Sequence, residues 1–586
     1  MHKLILVPAM LLLLLLSACS SAQTDSASSQ DGPQQPCSEA GQHRASEYAP
    51  GQLVASTELE PDDDNEDFPT GARAWRVLYT STGKDNTDLQ LVCGVVIAPA
   101  DPERIASAGP GGNGRMASWT HGTVGVQAHC QPSVQPERNI WGPMPGGFNV
   151  VAWGEPGKAD GRRGTSQGGA LQYMVERGWV VSATDYFADL EGGGLLEPYV
   201  IGRNEASNAI DAARAAHHLL RQVYPELSTT SYEYLTWGHS QGGHAAMWNA
   251  QLVNAYTAAT RQPDDPELVL RGAALLAPAS TIIVDPSRQP YTGYPYGLAD
   301  WVVNQVVGPS LFGDRLGIKL GPALYSYILG AWATHSGGKT PRKGQLPAYP
   351  GDAANLDLTA VATDAGAETT TKMVDLCLVS QPLKVAELSL PYDAKDFLVP
   401  RLSDGVDIGG QVHGQVSRTC AGSPGKELDK WCRWMWYQTP GPLGRSPLPK
   451  LPKQDGALVP VYIADGTNDL IVRCRSVAPE PDTLPDQRDC LSHAFYQALA
   501  DDAYCPSGSK ARGNLQLDLW QENPDTTEAN HFTVPGVASA RDLVSPQFEG
   551  SPLERWMTAA MDQRLPNECA APRLMNPSGN PAGEHR

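Results

Sequence analysis

Basic residues are in short supply: 44 Lys and Arg stand against 64 Asp and Glu in 586 residues, a formal net charge of −20. Phosphate backbones are gripped by clustered cations, so nucleic acid is not an expected partner. No C-x-x-C pair occurs, which removes thioredoxin-like chemistry and the commonest zinc sites. Metal-ligand and phosphate-loop motifs are missing, and no cofactor is expected. Gly109 to Gly114 is glycine-rich but lacks the following helix and acidic partner of a dinucleotide site. No repeat with a period of roughly 20 to 50 residues is visible, which excludes solenoids and propellers. The length fits roughly two to four domain-sized units, or one large enzyme domain with an insertion. With 41% hydrophobic residues the bulk of the chain can build a core and is not disordered.

The amino terminus reads as an export signal. Lys3 precedes the apolar run Leu4 to Leu16, too short and wrongly flanked for a spanning helix. Leu16-Ser17-Ala18-Cys19 resembles the lipobox of bacterial lipoproteins, which implies signal residues 1–18 and a lipidated Cys19. The alternative is an ordinary secretory signal cleaved nearby. Residues 19–70 are rich in Ser, Gln, Asp and Pro and read as a tether. Ten cysteines follow Cys19, an even number that suggests up to five disulfides in an exported chain. Cys420 with Cys432, and Cys474 with Cys490, are pairings suggested only by proximity.

Further along, strands alternate with helices. Trp75 to Thr82 and Leu89 to Pro99 look like a hairpin. Met116 to Trp119, Trp179 to Phe187, Tyr232 to Trp237, Leu268 to Ala277, Val459 to Ala464 and Leu515 to Trp520 are short buried runs. Arg203 to Val223 and Gln241 to Ala259 are helical patterns. Continuous apolar strands separated by helices indicate an α/β fold, a mostly parallel sheet covered on both faces. The pattern breaks between Ala277 and Val459. Trp301 to Leu311 and Leu320 to Trp332 look helical there, and the stretch from Trp431 has three Trp in six residues. We read 281–455 as a cap inserted between core segments 71–280 and 456–570, with a tail at 571–586. The tryptophans serve either an apolar lid or a second small core.

Gly238-His239-Ser240-Gln241-Gly242 matches the G-x-S-x-G nucleophile elbow. A strand must turn sharply into a helix there, with Ser at the strained apex and small residues two before and two after it. Gly164-Thr165-Ser166-Gln167-Gly168 also matches. It follows a charged, glycine-rich stretch and no strand, so Ser166 reads as a turn residue and Ser240 as the nucleophile.

A serine hydroxyl needs a base, and the base an orienting carboxylate, in the chain order Ser, acid, His. Asp469 lies just past the run Val459 to Ala464 and is the expected acid, with Asp465 its nearest rival. His335 and His413 precede the acid, and His493 sits in a helical pattern. His531 follows Leu515 to Trp520 and is the expected base. The amides of Gln241 and of Thr123, with Gly122 second to Thr123, are the expected oxyanion donors.

Four segments together are similar to the secretory lipase family, the α/β-hydrolases related to fungal lipase A. They are Thr120-His-Gly-Thr-Val-Gly125 with Cys130-Gln-Pro-Ser133, and Gly178 to Tyr186 with Pro198 to Arg203. The others are Gly238 to Ala246 and Gly466-Thr-Asn-Asp469. The resemblance spans roughly residues 75 to 570 and implies Ser240, Asp469 and His531 as the triad, with a helical cap inserted before the acid. The Trp-rich stretch and the long acid-to-His segment depart from it. The expectation is therefore an exported, lipid-anchored hydrolase of carboxylic esters, acting on an ester or lipid substrate and needing no protein partner. An acyltransferase or peptidase on the same fold is the rival enzyme. A catalytically silent surface-binding lipoprotein is the rival outside enzymes.

Overall fold

A computed structural model describes residue 37 and residues 42–575, apart from 61–67, 85–88, 142–168, 188–195, 284–297, 302–305, 308–317, 338–345, 347–348, 393, 404–414, 423–424, 470, 476–489, 508, 522–529, 532 and 540–546. The predicted signal, Cys19, Ser166 and His413 lie outside the described residues. Everything below belongs to the unit Pro36–Arg586.

Ten strands form one sheet. They are β1 (Leu53–Leu59), β2 (Ala72–Ser81), β3 (Gln90–Pro99), β4 (Gly114–Thr120), β5 (Trp179–Thr184), β6 (Ser231–His239), β7 (Glu267–Leu276), β8 (Val461–Gly466), β9 (Leu515–Trp520) and β10 (Arg573–Met575). Their order is β1-β2-β3-β5-β4-β6-β7-β8-β9-β10. The pairs β1–β2, β2–β3 and β3–β5 are antiparallel, and every neighbouring pair from β5 to β10 is parallel. Alternation along β8 shows why such a sheet needs cover on both sides. Val461 and Ile463 join one apolar core, Tyr462 and Ala464 the other. The first core is covered by α2 (Gly202–Val223) and α3 (Gln241–Thr260). The second is covered by α1 (Ala170–Glu176) and α8 (Pro552–Met561).

Two boundary expectations are corrected. Residues 19–70 are not all tether, because β1 pairs along β2 from Leu53 to Leu59, and Cys37 is bonded to Cys93 on β3. Residues 571–586 are not all tail, because β10 extends the sheet beyond β9.

Between β7 and β8 the described elements are mainly helical: α4 (Gly321–His335), α5 (Asp364–Met373) and α6 (Lys426–Gln438), with shorter helices between them. A helix over Trp301 to Leu311 is not what forms. Leu298–Trp301 is a single turn, and Val306–Val307 pairs antiparallel with Ile318–Lys319. Trp431, Trp434 and Trp436 lie on α6, are buried, and belong to the same core as α2 and α3. The Trp431 indole donates to the Asp357 carbonyl at 2.9 Å, and the Trp434 ring meets Tyr349 edge-on at 5.0 Å. These tryptophans are packing residues of a core continuous with the main one. No helix among the described residues is long and apolar enough to cross a membrane.

All ten cysteines after Cys19 are paired: Cys37–Cys93, Cys130–Cys377, Cys420–Cys432, Cys474–Cys490 and Cys505–Cys569. Five bridges fit an oxidising compartment. Cys505–Cys569 closes a 64-residue separation around β9 and α8, and an isolated Leu515–Cys569 bridge extends that edge. Replacing Cys505 and Cys569 with Ser should lower unfolding stability by about 2–4 kcal/mol, the loop-closure contribution of a bridge of this span. Denaturant unfolding of the double variant checks it, and an unchanged midpoint would contradict the reading.

Candidate active site

Ser240 stands between the end of β6 and the first turn of α3, at φ 58° and ψ −118°. A non-glycine residue at positive φ costs energy and persists only where its surroundings fix it. Here they do. The Ser240 amide donates to the Leu276 carbonyl at 2.9 Å, and its carbonyl accepts from His244 and Ala279 at 3.1 and 3.0 Å. The flanking glycines are required by the end of β4. A Cβ on Gly238 would stand 2.2 Å from the Thr120 carbonyl oxygen, and one on Gly242 only 1.9 Å from it. The Thr120 hydroxyl lies 2.9 Å from the Trp237 carbonyl and 2.8 Å from that of Gly242, tying the loop after β4 to the elbow.

The structure brings Ser240, Asp469 and His531 together. His531 Nδ1 lies 2.7 Å from Asp469 Oδ2, and Nε2 lies 2.8 Å from Ser240 Oγ. With Nδ1–H donating to the carboxylate, Nε2 keeps a lone pair for the serine proton. Burial pushes the His531 ring down to about 3, so it is neutral at neutral pH. Asp469 follows β8, and its two-residue strand Asn468–Asp469 pairs with Cys474–Arg475. Its Oδ1 accepts from the Ile471 and Val472 amides at 2.7 and 2.9 Å. His239, inside the elbow, lies with Nε2 2.8 Å from the His531 carbonyl, its ring 4.7 Å from the His531 ring. His239, next to Ser240, thus holds the backbone of His531.

The loop after β4 lies over the elbow, where a Cβ on Gly122 would come within 3.8 Å of Ser240 Cβ. Thr123 follows, its hydroxyl 2.6 Å from that of Tyr199. Gln241 is the first residue of α3, so its amide has no acceptor one turn back in the helix. Its side chain points into a buried acidic pocket. Gln241 Nε2 donates to Glu197 Oε1 at 2.6 Å and to Glu205 Oε1 at 3.0 Å. Gln131 Nε2 donates to Glu197 Oε2 at 3.0 Å, and His244 Nδ1 lies 2.7 Å from Glu205 Oε2. His335 and His493 are elsewhere: His335 ends α4 and meets the Leu196 carbonyl at 2.7 Å, and His493 lies on α7 (Leu491–Leu499).

A mostly parallel sheet, helices on both faces, a strand–serine–helix elbow after β6 and polar residues at the ends of β8 and β9 define the α/β-hydrolase fold. Within it, residues 169–306 match the family model of secretory lipases, a stretch that holds β5, α2, the elbow, α3 and β7. No curated protein matches the chain. Among solved structures it is similar to a rice cell wall degrading esterase, LipA, from Xanthomonas oryzae. That likeness is 16% identical with a TM-score of 0.46, over 84% of this chain and 95% of that one. It is also similar to Candida antarctica lipase A, 13% identical with a TM-score of 0.44, over 90% of this chain and 86% of that one. Likenesses at this level assign no role to any residue.

Sequence reasoning passed over Glu197, Glu205, Gln131 and His239. Glu205 lies in a helix that also holds Arg203, Asp211 and Arg214, so its charge did not single it out, and Glu197 left no signal. Burial pushes Glu197 up to about 8, so it holds a proton at neutral pH. A raised carboxyl binds its extra proton in the folded state. Its contribution to stability is full below the unfolded value near 4.5 and is lost as pH rises through about 8. Glu197→Gln cannot titrate. Its stability relative to the parent should therefore improve steadily from about pH 5 to pH 8, measured by thermal unfolding. A difference that stays constant with pH would contradict the assignment.

Proposed function

We propose that the chain is an exported serine hydrolase of carboxylic esters, held to a membrane by a lipid on Cys19. One observation carries the reading: the unbroken hydrogen-bonded run from Ser240 Oγ through His531 to Asp469, with the serine at positive φ on the elbow. The secretory lipase match over 169–306 supports it, and the five disulfides support export.

Ser240 Oγ attacks the acyl carbonyl while His531 Nε2 takes its proton. Asp469 keeps the imidazole in its tautomer and stabilises the imidazolium without accepting the proton. The oxyanion forms beside the loop after β4, where the amides of Thr123 and Gln241 donate to it. Collapse expels the alcohol, which takes the proton from His531. Water, activated by the same ring, then releases the acid from Ser240. The apolar character of the inserted helices, α4 above all, favours a hydrophobic acyl group.

Ser240→Ala should lower kcat for p-nitrophenyl ester hydrolysis by at least about 10³-fold, with the near-UV circular dichroism of the parent retained. Retained activity would move the nucleophile elsewhere. With purified parent protein, kcat/KM should rise from acetyl to longer acyl esters, each added buried methylene contributing up to about 0.8 kcal/mol. A profile that falls from acetyl onward would contradict the apolar acyl site.

A further inference from the structure

Asp465 is the penultimate residue of β8, four residues before Asp469, and is fully buried. Its Oδ1 accepts from the Gly466 amide at 2.8 Å, and its Oδ2 accepts from Ser492 Oγ at 2.6 Å. Its carboxyl faces that of Asp469, which is equally buried. Two carboxyls in contact away from water cannot both be ionised, so the pair shares one proton. The donors decide where it sits. Asp469 receives the Ile471 and Val472 amides and the His531 ring, an environment built for an anion. Asp465 receives one amide and one hydroxyl, and a carboxyl oxygen within 4.8 Å of the Cys474 and Cys490 sulfurs faces a non-titrating disulfide.

We propose that Asp465 is a positioning residue for the hydrolytic reaction: it keeps a proton at neutral pH and donates it to Asp469, fixing that carboxylate against His531. The inference rests on the functional reading above. It extends the polar run by two members, from Ser492 through Asp465 to Asp469, His531 and Ser240. Burial and the neighbouring carboxylate push Asp465 well above the usual carboxylate range. Burial raises Asp469 too, to about 7, and the bond from Asp465 and the Ile471 and Val472 amides keep it from rising further. Other titratable groups on the packed elements are His493, next to Ser492 on α7, Arg473 beside Cys474, and His239 behind the His531 ring.

A neutral donor on Asp469 has a definite consequence. It tempers the basicity of the carboxylate, and with it the proton affinity of His531, so the ring can return its proton to the leaving alcohol. Removing the donor should raise the pH at which His531 loses its role as base.

The test compares the full-length parent with Asp465→Ala and Asp465→Asn, following kcat/KM for a p-nitrophenyl ester across pH. Ala removes the donor. It should lower kcat/KM by about tenfold or more and move the acid limb upward by about half a pH unit. Asn keeps an N–H donor and the pair's single negative charge. It should restore most of the lost activity and leave the acid limb within about 0.3 pH unit of the parent. Were the proton instead on Asp469, Asn at 465 would let Asp469 ionise and shift the limb upward, which overturns the proposal. An Ala variant with the parent's rate and limb overturns it equally. Should the Ala variant not fold, the limb of the Asn variant decides alone. Failure of the functional reading looks different: the parent itself would not hydrolyse the ester, or Ser240→Ala would keep the parent's rate.

Discussion

Everything at the site depends on one close approach of backbone to backbone. The end of β4 runs so near the turn from β6 into α3 that Gly238 and Gly242 have no room for a Cβ against the Thr120 carbonyl. That contact fixes Ser240 at positive φ and presents its hydroxyl at the carboxy-terminal edge of the sheet. It also brings the loop through Gly122 and Thr123 beside the serine, where an oxyanion would need donors. The G-x-S-x-G spacing is thus the trace of a steric limit. Larger residues at either flank would push β4 and α3 apart and move the loop away from the hydroxyl.

Around this contact the fold buries acids, which is costly unless they are hydrogen-bonded or protonated. Glu197 and Glu205 hold the Gln241 side chain from one side, while Asp465 and Asp469 lie behind His531 on the other. The two groups act on different parts of the site. The glutamates hold the side chain of the first residue of α3. Asp469 holds the His531 ring. The Glu205 cluster also reaches the cap, because His244 Nε2 lies 2.8 Å from the Gln438 carbonyl at the end of α6, and Gln438 Oε1 accepts from the Gly202 amide at 3.1 Å. The helices between β7 and β8 therefore share buried polar partners with α3.

How much of this was legible in the sequence varies with length and periodicity. The parallel strands and the helices flanking the elbow carry strong patterns, and β6 and α3 form within a residue or two of where they are expected. The two G-x-S-x-G matches are separated by context alone, since only Ser240 follows a strand. Chain order and strand ends select the three residues that meet at 2.7 and 2.8 Å. The misses have physical reasons. β1 is hidden in a polar segment because, as an edge strand, it buries only Leu53. β10 has three residues, too few for any periodicity. Of the two helices expected in the insertion, the one over Leu320 to Trp332 forms, while Val306–Val307 pairs as a strand with Ile318–Lys319, tertiary pairing overriding local propensity. Asp465 was weighed only as a rival to Asp469, since sequence cannot tell two carboxyls in competition from two sharing a proton.

The central claim, that Ser240 is a nucleophile activated by His531, is tested most directly by treating the folded chain with a fluorophosphonate and mapping the adduct by peptide mass spectrometry. The account predicts one phosphonylated residue, Ser240, with labelling that slows as pH falls and His531 becomes protonated. An unlabelled chain, or an adduct on Ser166 or any other residue, would contradict it.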